Sequence, residues 1–436
     1  MTKLSIAKEH LITLLDICSL AVSRRDEDDI TNNFLFKVAD KTLTIFATDK
    51  ISVAKIQSEN IETDEDFSFT LKASKIQGLL STLKKVDTID LDFNQQELNV
   101  ILNGKYDLPS HEPNDFPLFD SDLESAEEIN AIEVDKFVDS LSYIKGFIGT
   151  DFAGRPELTS APMLEGKFIS SNGRTLGIYE SEAFKSEGFE VNYNTIVNIQ
   201  RFAKQAGLKE TELGELQENP KVGSKELKTL EDDSSNTVDL SAVIEESEKE
   251  TRGELLEKEK SVVRSSSEPE VILMKSDNYF ILAAKDRSMY YGYRKSDYKF
   301  PKKMLEKHLE EDYDDSFRVS KSDLLDAITR LSYCLNENSA RMSFTVSGSE
   351  SDAKLTVSVL GSHSRESKEE VNIKRQGEGD EDISFDLTYL HLLKILPLYA
   401  SPEIFVGIKK EKNIRLVDSM DATVKLSGMV SFIRKR

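Results

Sequence analysis

Six amphipathic helix patterns recur along this 436-residue chain at nearly constant spacing, and that spacing limits what the chain can fold into. Residues Ala7 to Ser23 put Leu11, Leu14, Leu15, Cys18 and Val22 on one face of a helix. Glu133 to Ile148 repeats the pattern with Val134, Phe137, Val138, Leu141, Ile144 and Ile148. Ser320 to Leu335 repeats it with Leu324, Leu325, Ile328, Leu331 and Leu335, and Ser320 followed by Asp323 is close to a capping box. A second helix type follows each of these, over Lys72–Lys85, Asn194–Gln205 and Leu387–Tyr399. Short alternating strands precede the second type (FSFTL, FEVNY and ISFDL), and longer period-two stretches between the helices read as antiparallel hairpins. The helices begin near 7, 72, 133, 194, 320 and 387, so the gaps are 65, 61, 61, 126 and 67 residues. A half-unit of about 60 residues with one insertion of similar size accounts for them.

The insertion is visible independently. Gln205 to Glu270 holds 9 Lys/Arg against 18 Asp/Glu and no aromatic residue. Such a segment cannot bury enough apolar area to offset its ordering entropy, so disorder or a loose solvated helix is expected. Dense alternation resumes at Val271. The α+β class follows, with three tandem like domains, each carrying two helices against antiparallel sheets. The expected boundaries are 1–126, 127–309 with the acidic insertion at about 205–270, and 310–436. Phe116-Pro117 and Phe300-Pro301, 184 residues apart, close the first two domains. Proline removes an amide donor and fixes φ, which suits a chain leaving a sheet.

The net charge of −22 argues against coating nucleic acid through the whole surface, but leaves room for a local basic face. No apolar run is long enough to span a membrane, and the opening MTKLSIAKEH has no signal-peptide core, so a cytoplasmic protein is expected. Cys18 and Cys334 both fall in helix patterns and read as two core thiols. Catalytic signatures are missing. The five histidines are scattered away from metal-ligand spacing. Gly149 to Pro156 has phosphate-loop glycine spacing, but continues Arg-Pro where Lys and Ser/Thr are needed. No enzyme activity, metal or cofactor is expected.

Four segments carry a resemblance to a known family: LSIAKEHLITLLDICSLAVSRR, LNGKYDLPSHEPNDFPLF, ISSNGRTLGIYE and DYKFPKKML. In order and spacing they resemble the bacterial-type DNA sliding clamp, the β subunit of the replicative DNA polymerase. The similarity covers nearly the whole chain outside 205–270. Arg174-Thr175 stands where the family has His-Arg, and VSFIRKR replaces a Met-Pro-Met ending. With the acidic insertion, these departures describe a distant member of a kind a phage could encode, acting then in the host cytoplasm.

The resemblance implies a homodimeric ring that encircles duplex DNA without reading its sequence and tethers the polymerase. Its partners would be duplex DNA, DNA polymerase, a clamp loader and a second copy of itself. The cations it places toward the hole are Arg24, Arg25, Lys72, Lys75, Lys84, Lys85, Lys136, Lys145, Arg201, Lys204, Lys321, Arg330 and Lys394. A pocket for partner peptides would be formed by Gly173, Arg174, Thr175, Leu176, Pro301, Met304, Leu305, Met429, Val430 and Phe432. Thr159 stands where the family has an apolar wall residue. The subunit seam would set Tyr106 and Leu108 against Cys334 and Leu335. The alternatives are a clamp-fold polymerase accessory that does not encircle DNA, and an acidic DNA-mimic or scaffold protein.

Overall fold

The computed structural model describes residues 2–23, 29–63, 65–150, 155, 158–184, 188–206, 269–295, 313–335, 339–349, 352–361, 365–376, 381–410, 412–419 and 424–433. One order of elements runs through them three times: a strand, a helix, four strands, a second helix and three strands. The first unit is β1 (Thr2–Ala7), α1 (Lys8–Cys18), β2 (Asn33–Ala39), β3 (Thr42–Thr48), β4 (Ser52–Ser58), a two-residue extra strand β5 (Glu62–Thr63), β6 (Phe67–Lys72), α2 (Ala73–Thr82), β7 (Thr88–Asn94), β8 (Asn99–Leu102) and β9 (Tyr106–Pro109). After a short connector helix α3 (Asp120–Glu124) come β10 (Glu127–Glu133), α4 (Val134–Lys145), β11 (Ser160–Leu164), β12 (Lys167–Ser171), β13 (Thr175–Ser181), β14 (Glu190–Asn192), α5 (Tyr193–Ala206), β15 (Glu270–Lys275), β16 (Tyr279–Ala284) and β17 (Met289–Arg294). The last set is β18 (Asp315–Ser320), α6 (Lys321–Ser332), β19 (Arg341–Ser347), β20 (Lys354–Leu360), β21 (Glu366–Arg375), β22 (Ile383–Thr388), α7 (Tyr389–Ile395), β23 (Glu403–Lys409), β24 (Asn413–Ser419) and β25 (Val424–Ser431).

Local sequence explains the elements. On α1 the buried residues include Leu11, Leu14, Leu15 and Cys18, the face that the periodicity marks. Ser320 caps α6, its side chain accepting from the Asp323 amide. Helix α7 is shorter than its pattern because Pro397 cannot donate to a further turn, and the chain passes into a 3-10 turn over Leu396–Leu398. Cys18 is buried, but Cys334 lies exposed in the turn after α6, which corrects the expectation of two core thiols.

Two seams join the units through continuous sheets. The third strand of the four in one unit pairs antiparallel with the last strand of the next. β4 pairs with β17, Ala54 opposite Tyr291, and β13 pairs with β25, Gly177 opposite Gly428. The second seam needs those glycines. A Cβ on Gly177 would overlap the Phe147 ring, and one on Gly428 would strike the Tyr399 hydroxyl and press on the same ring at 3.0 Å. Helices meet on the same side of the sheets. Asn198 on α5 donates to the Leu20 carbonyl beyond α1 at 3.0 Å, and Tyr143 on α4 meets Tyr399 beyond α7, hydroxyls 3.3 Å apart.

The first connector crosses the opposite sheet face. Phe116 and Phe119 are buried against Leu35, Phe46 and Val53, so the first Phe-Pro pair seats the exiting chain on the sheet. Phe300-Pro301 and the acidic insertion from 207 to 268 lie outside the described residues.

Candidate nucleic-acid and peptide interfaces

Charge separates by helix type. The second helix of each unit carries cations and no acid: Lys75 on α2, Arg201 and Lys204 on α5, and Lys394 on α7. The first helices carry exposed acids as well: Glu9 and Asp16, Asp135 and Asp139, Asp323 and Asp326. Where the two types pack, the signs meet. Burial raises the pKa of Asp16, opposed by Arg201; burial and then Asp135 raise that of Asp139, opposed by Lys204. The helix face is therefore a set of positive bands with acids between them.

Several cations named from the sequence are held within the chain. Arg330 forks onto Glu369 at 2.8 and 2.6 Å, and Lys136 meets Glu133 at 2.7 Å. Lys321 donates to the Tyr399 carbonyl at 2.6 Å, a bond that ties α6 to the second seam. Lys84 and Lys85 are exposed but sit in the turn after α2, and Lys72 is half-buried at its start. Lys145 and Lys394 lie together where α4 approaches α7; the Lys394 pKa is lowered by its surroundings and then by the Lys145 ammonium. Arg24 and Arg25 are outside the described residues.

The peptide-pocket residues divide between the two faces of one sheet. Paired residues share a face, and the face alternates along a strand. Leu176 pairs with Met429, and Ile178 with Ile169, on the face away from the helices; Leu164, Ile169, Leu176 and Ile178 form a small apolar cluster there. Thr175 pairs with Val430 on the opposite face, where Val430 is fully buried in the main core. Phe432 leaves the sheet and stacks on Phe385 (centroids 5.0 Å apart), which itself stacks on Phe344. Its ring belongs with the third unit's interior rather than beside Leu176.

Gly173 and Arg174 form the turn between β12 and β13. Asn172 Oδ1 accepts from the Arg174 and Thr175 amides at 3.0 and 2.8 Å, and Gly173 takes φ +80°, a conformation open to glycine. The Arg174 carbonyl accepts from the Ser431 amide at 3.0 Å, which ties this turn to the final strand. A Cβ on Gly173 would come 3.2 Å from the buried Leu158, an apolar neighbour of the turn. Pro301, Met304 and Leu305 are outside the described residues. Leu158, Leu164, Ile169 and Ile178 went unnamed from sequence; the alternation of KFISS against TLGIYES was the available signal.

Among the subunit-seam residues, Leu108 is only 9% exposed and packs in the first unit's core, and Leu335 packs partly against the core. Tyr106 is 39% exposed on β9, the end strand of its sheet among the described residues, and Tyr333, beside Cys334, is 73% exposed.

Three repeats of one unit, joined sheet to sheet with all first and second helices on one side, define a clamp fold. Its full length superposes on solved sliding clamps. The beta sliding clamp of C. crescentus matches with a TM-score of 0.73 at 17% identity, covering 100% of both chains. The DNA polymerase III subunit beta of Pseudomonas aeruginosa matches at 0.72 and 15% identity, over 99% of this chain and 100% of that one. The DNA polymerase sliding clamp of Bacillus subtilis matches at 0.72 and 13%, over 100% of both. Residues 2–120 match the family described as DNA polymerase III beta subunit, N-terminal domain. No curated protein sequence matches the chain.

Proposed function

We propose that this protein is a DNA sliding clamp: two copies close a ring around duplex DNA and hold a polymerase at its work. One observation carries the reading. Inside the chain, the third strand of one unit's four is bound to the last strand of the next unit at two seams. By the same rule β21 should take a β9, and both are available. β9 ends its sheet, and over 366–372 β21 pairs on one side only among the described residues. A second copy supplies both missing partners and closes the sheets. The helices support it, since α1 and α4 end against the second helix of the neighbouring unit. The exposed Tyr333 at the end of α6 would then face the partner's α2, with Leu360 and Tyr106 beside it.

In such a ring the acid-free helices α2, α5 and α7 would track DNA phosphates, and the intervening acids would keep the contact loose enough to slide. Leu164, Ile169, Leu176, Ile178 and Met429 would receive an apolar peptide of the polymerase or clamp loader. The units would run 1–126, 127–309 and 310–436. Topological retention raises the polymerase's effective concentration at the primer end without any catalytic residue. Native mass measurement tests the assembly: twice the mass of the chain supports the ring, and a monomer at micromolar concentration favours the non-encircling accessory.

A further inference from the structure

We infer that Gly78 on α2 is the seat for Tyr333 of the partner subunit, an aromatic ring laid over a helix glycine at each seam between copies. The inference rests on the ring proposed above and names the contact that shuts it. Repeat geometry leads to it. Leu20, Gly146 and Tyr333 hold one position, the thirteenth residue counted from the start of α1 at Lys8, α4 at Val134 and α6 at Lys321. Inside the chain that position meets the second helix of the neighbouring unit twice. The Leu20 carbonyl accepts from Asn198, the sixth residue of α5, at 3.0 Å. A Cβ on Gly146 would overlap the side chain of Leu398, the tenth residue counted from the start of α7. Sixth and tenth positions lie about one turn apart on the same side of a helix. On α2 they are Gly78 and Thr82, both exposed.

Among the described residues nothing accounts for Gly78. Glycine is a poor residue for a helix interior, because ordering it costs more backbone entropy than ordering alanine. It is retained where φ is positive or where a neighbour comes too close for a Cβ, and Gly146 is the second case. Gly78 is neither: its φ is not positive, and no described atom comes within 4 Å of where its Cβ would stand. Tyr333 is the converse, a large ring 73% exposed at the end of α6. At the second seam a glycine on the first-type helix admits a leucine. At the seam between copies the bulk changes sides, and the bare stretch of α2 admits the ring. The strand edges agree. Helix α6 packs on β21, which over 366–372 pairs on one side only among the described residues, and β9 ends the sheet of the first unit. Pairing β21 with the partner's β9 carries the end of α6 to the partner's α2.

The test follows the full-length protein by native mass and sedimentation across a dilution series. The variants are Gly78→Leu, Tyr333→Ala and the two together. Gly78→Leu fills open space on an exposed helix face, so the isolated chain should melt no lower than the parent. Its dimer dissociation constant should rise about thirtyfold or more, the range of an interface hot spot. Tyr333→Ala should weaken the dimer to a similar degree. The two together should recover most of the loss, because leucine then meets a small residue as Leu398 meets Gly146. A parent-like dimer in Gly78→Leu would overturn the contact, and so would a double variant whose losses simply add in free energy. An intact Gly78→Leu dimer that is lost from closed circular DNA would overturn it as well, since the glycine would then serve the approach of DNA. A monomeric parent would sink the ring and the contact together. A dimeric parent indifferent to both changes would leave the ring standing and remove the contact alone.

Discussion

Asn198 donates to the Leu20 carbonyl across 3.0 Å, and that bond fastens the second helix of one unit to the end of the first helix of its neighbour. Tyr143 and Tyr399 make the corresponding contact one unit later, with ring planes 83° apart. Tyr333, at the end of the third first-type helix, has no such neighbour among the described residues and is 73% exposed. Its exposed ring lies where the proposed subunit seam would run.

Charge at that position should therefore break the assembly and spare the fold. Tyr106→Asp with Tyr333→Asp should give a monomer of half the native mass whose circular dichroism and melting match those of the isolated chain. Both side chains are exposed, so neither change leaves a hole, whereas Leu108→Asp would put a carboxylate into the core. A dimer that survives the double change would place the interface elsewhere.

Leu176 and Phe432 should separate binding from stability. Leu176→Ala on the apolar sheet face should weaken a polymerase-derived peptide by about 2 kcal/mol, roughly thirtyfold, with little change in melting. Phe432→Ala removes a ring stacked on Phe385 and should cost about 2 kcal/mol of stability instead, half the value of a fully buried aromatic. Fluorescence titration and denaturant unfolding read the two effects. If Phe432→Ala loses peptide affinity at unchanged stability, its ring is a groove wall after all.

The third unit hangs on a buried ion pair. Arg375 Nε donates to Asp315 at 2.9 Å, and its other nitrogens reach the Gly348 and Glu381 carbonyls at 2.7 and 2.8 Å. Both side chains are almost fully enclosed. Arg375→Ala would strand the Asp315 carboxylate and should cost about 3–5 kcal/mol in urea unfolding. A loss under about 1 kcal/mol, the range of an exposed pair, would show that water reaches the site.

Helix faces and their order were legible in the sequence because their period and spacing are local. Leu11, Leu14 and Leu15 face inward as their spacing requires, and Ser320 caps as its neighbours suggest. The site residues were less so. Val430 and Met429 are adjacent, and only the register of β13 against β25 decides which of them meets the core. Leu158 meets the Gly173 turn from a loop without periodicity, which left no signal in the sequence. The pairing of Arg330 with Glu369 crosses 39 residues, so a cation that looked free from its helix is already bound to its own sheet. Long-range pairing is what a single sequence hides.

The ring itself is tested most directly by topology. The protein is loaded onto a nicked circular duplex, washed in high salt, and the circle is then cut once. A closed ring has no route off the circle, so retention should persist through the wash and fall to background after cutting. Equal loss from circular and linear DNA in high salt would contradict the account, because charge alone would then be holding the protein.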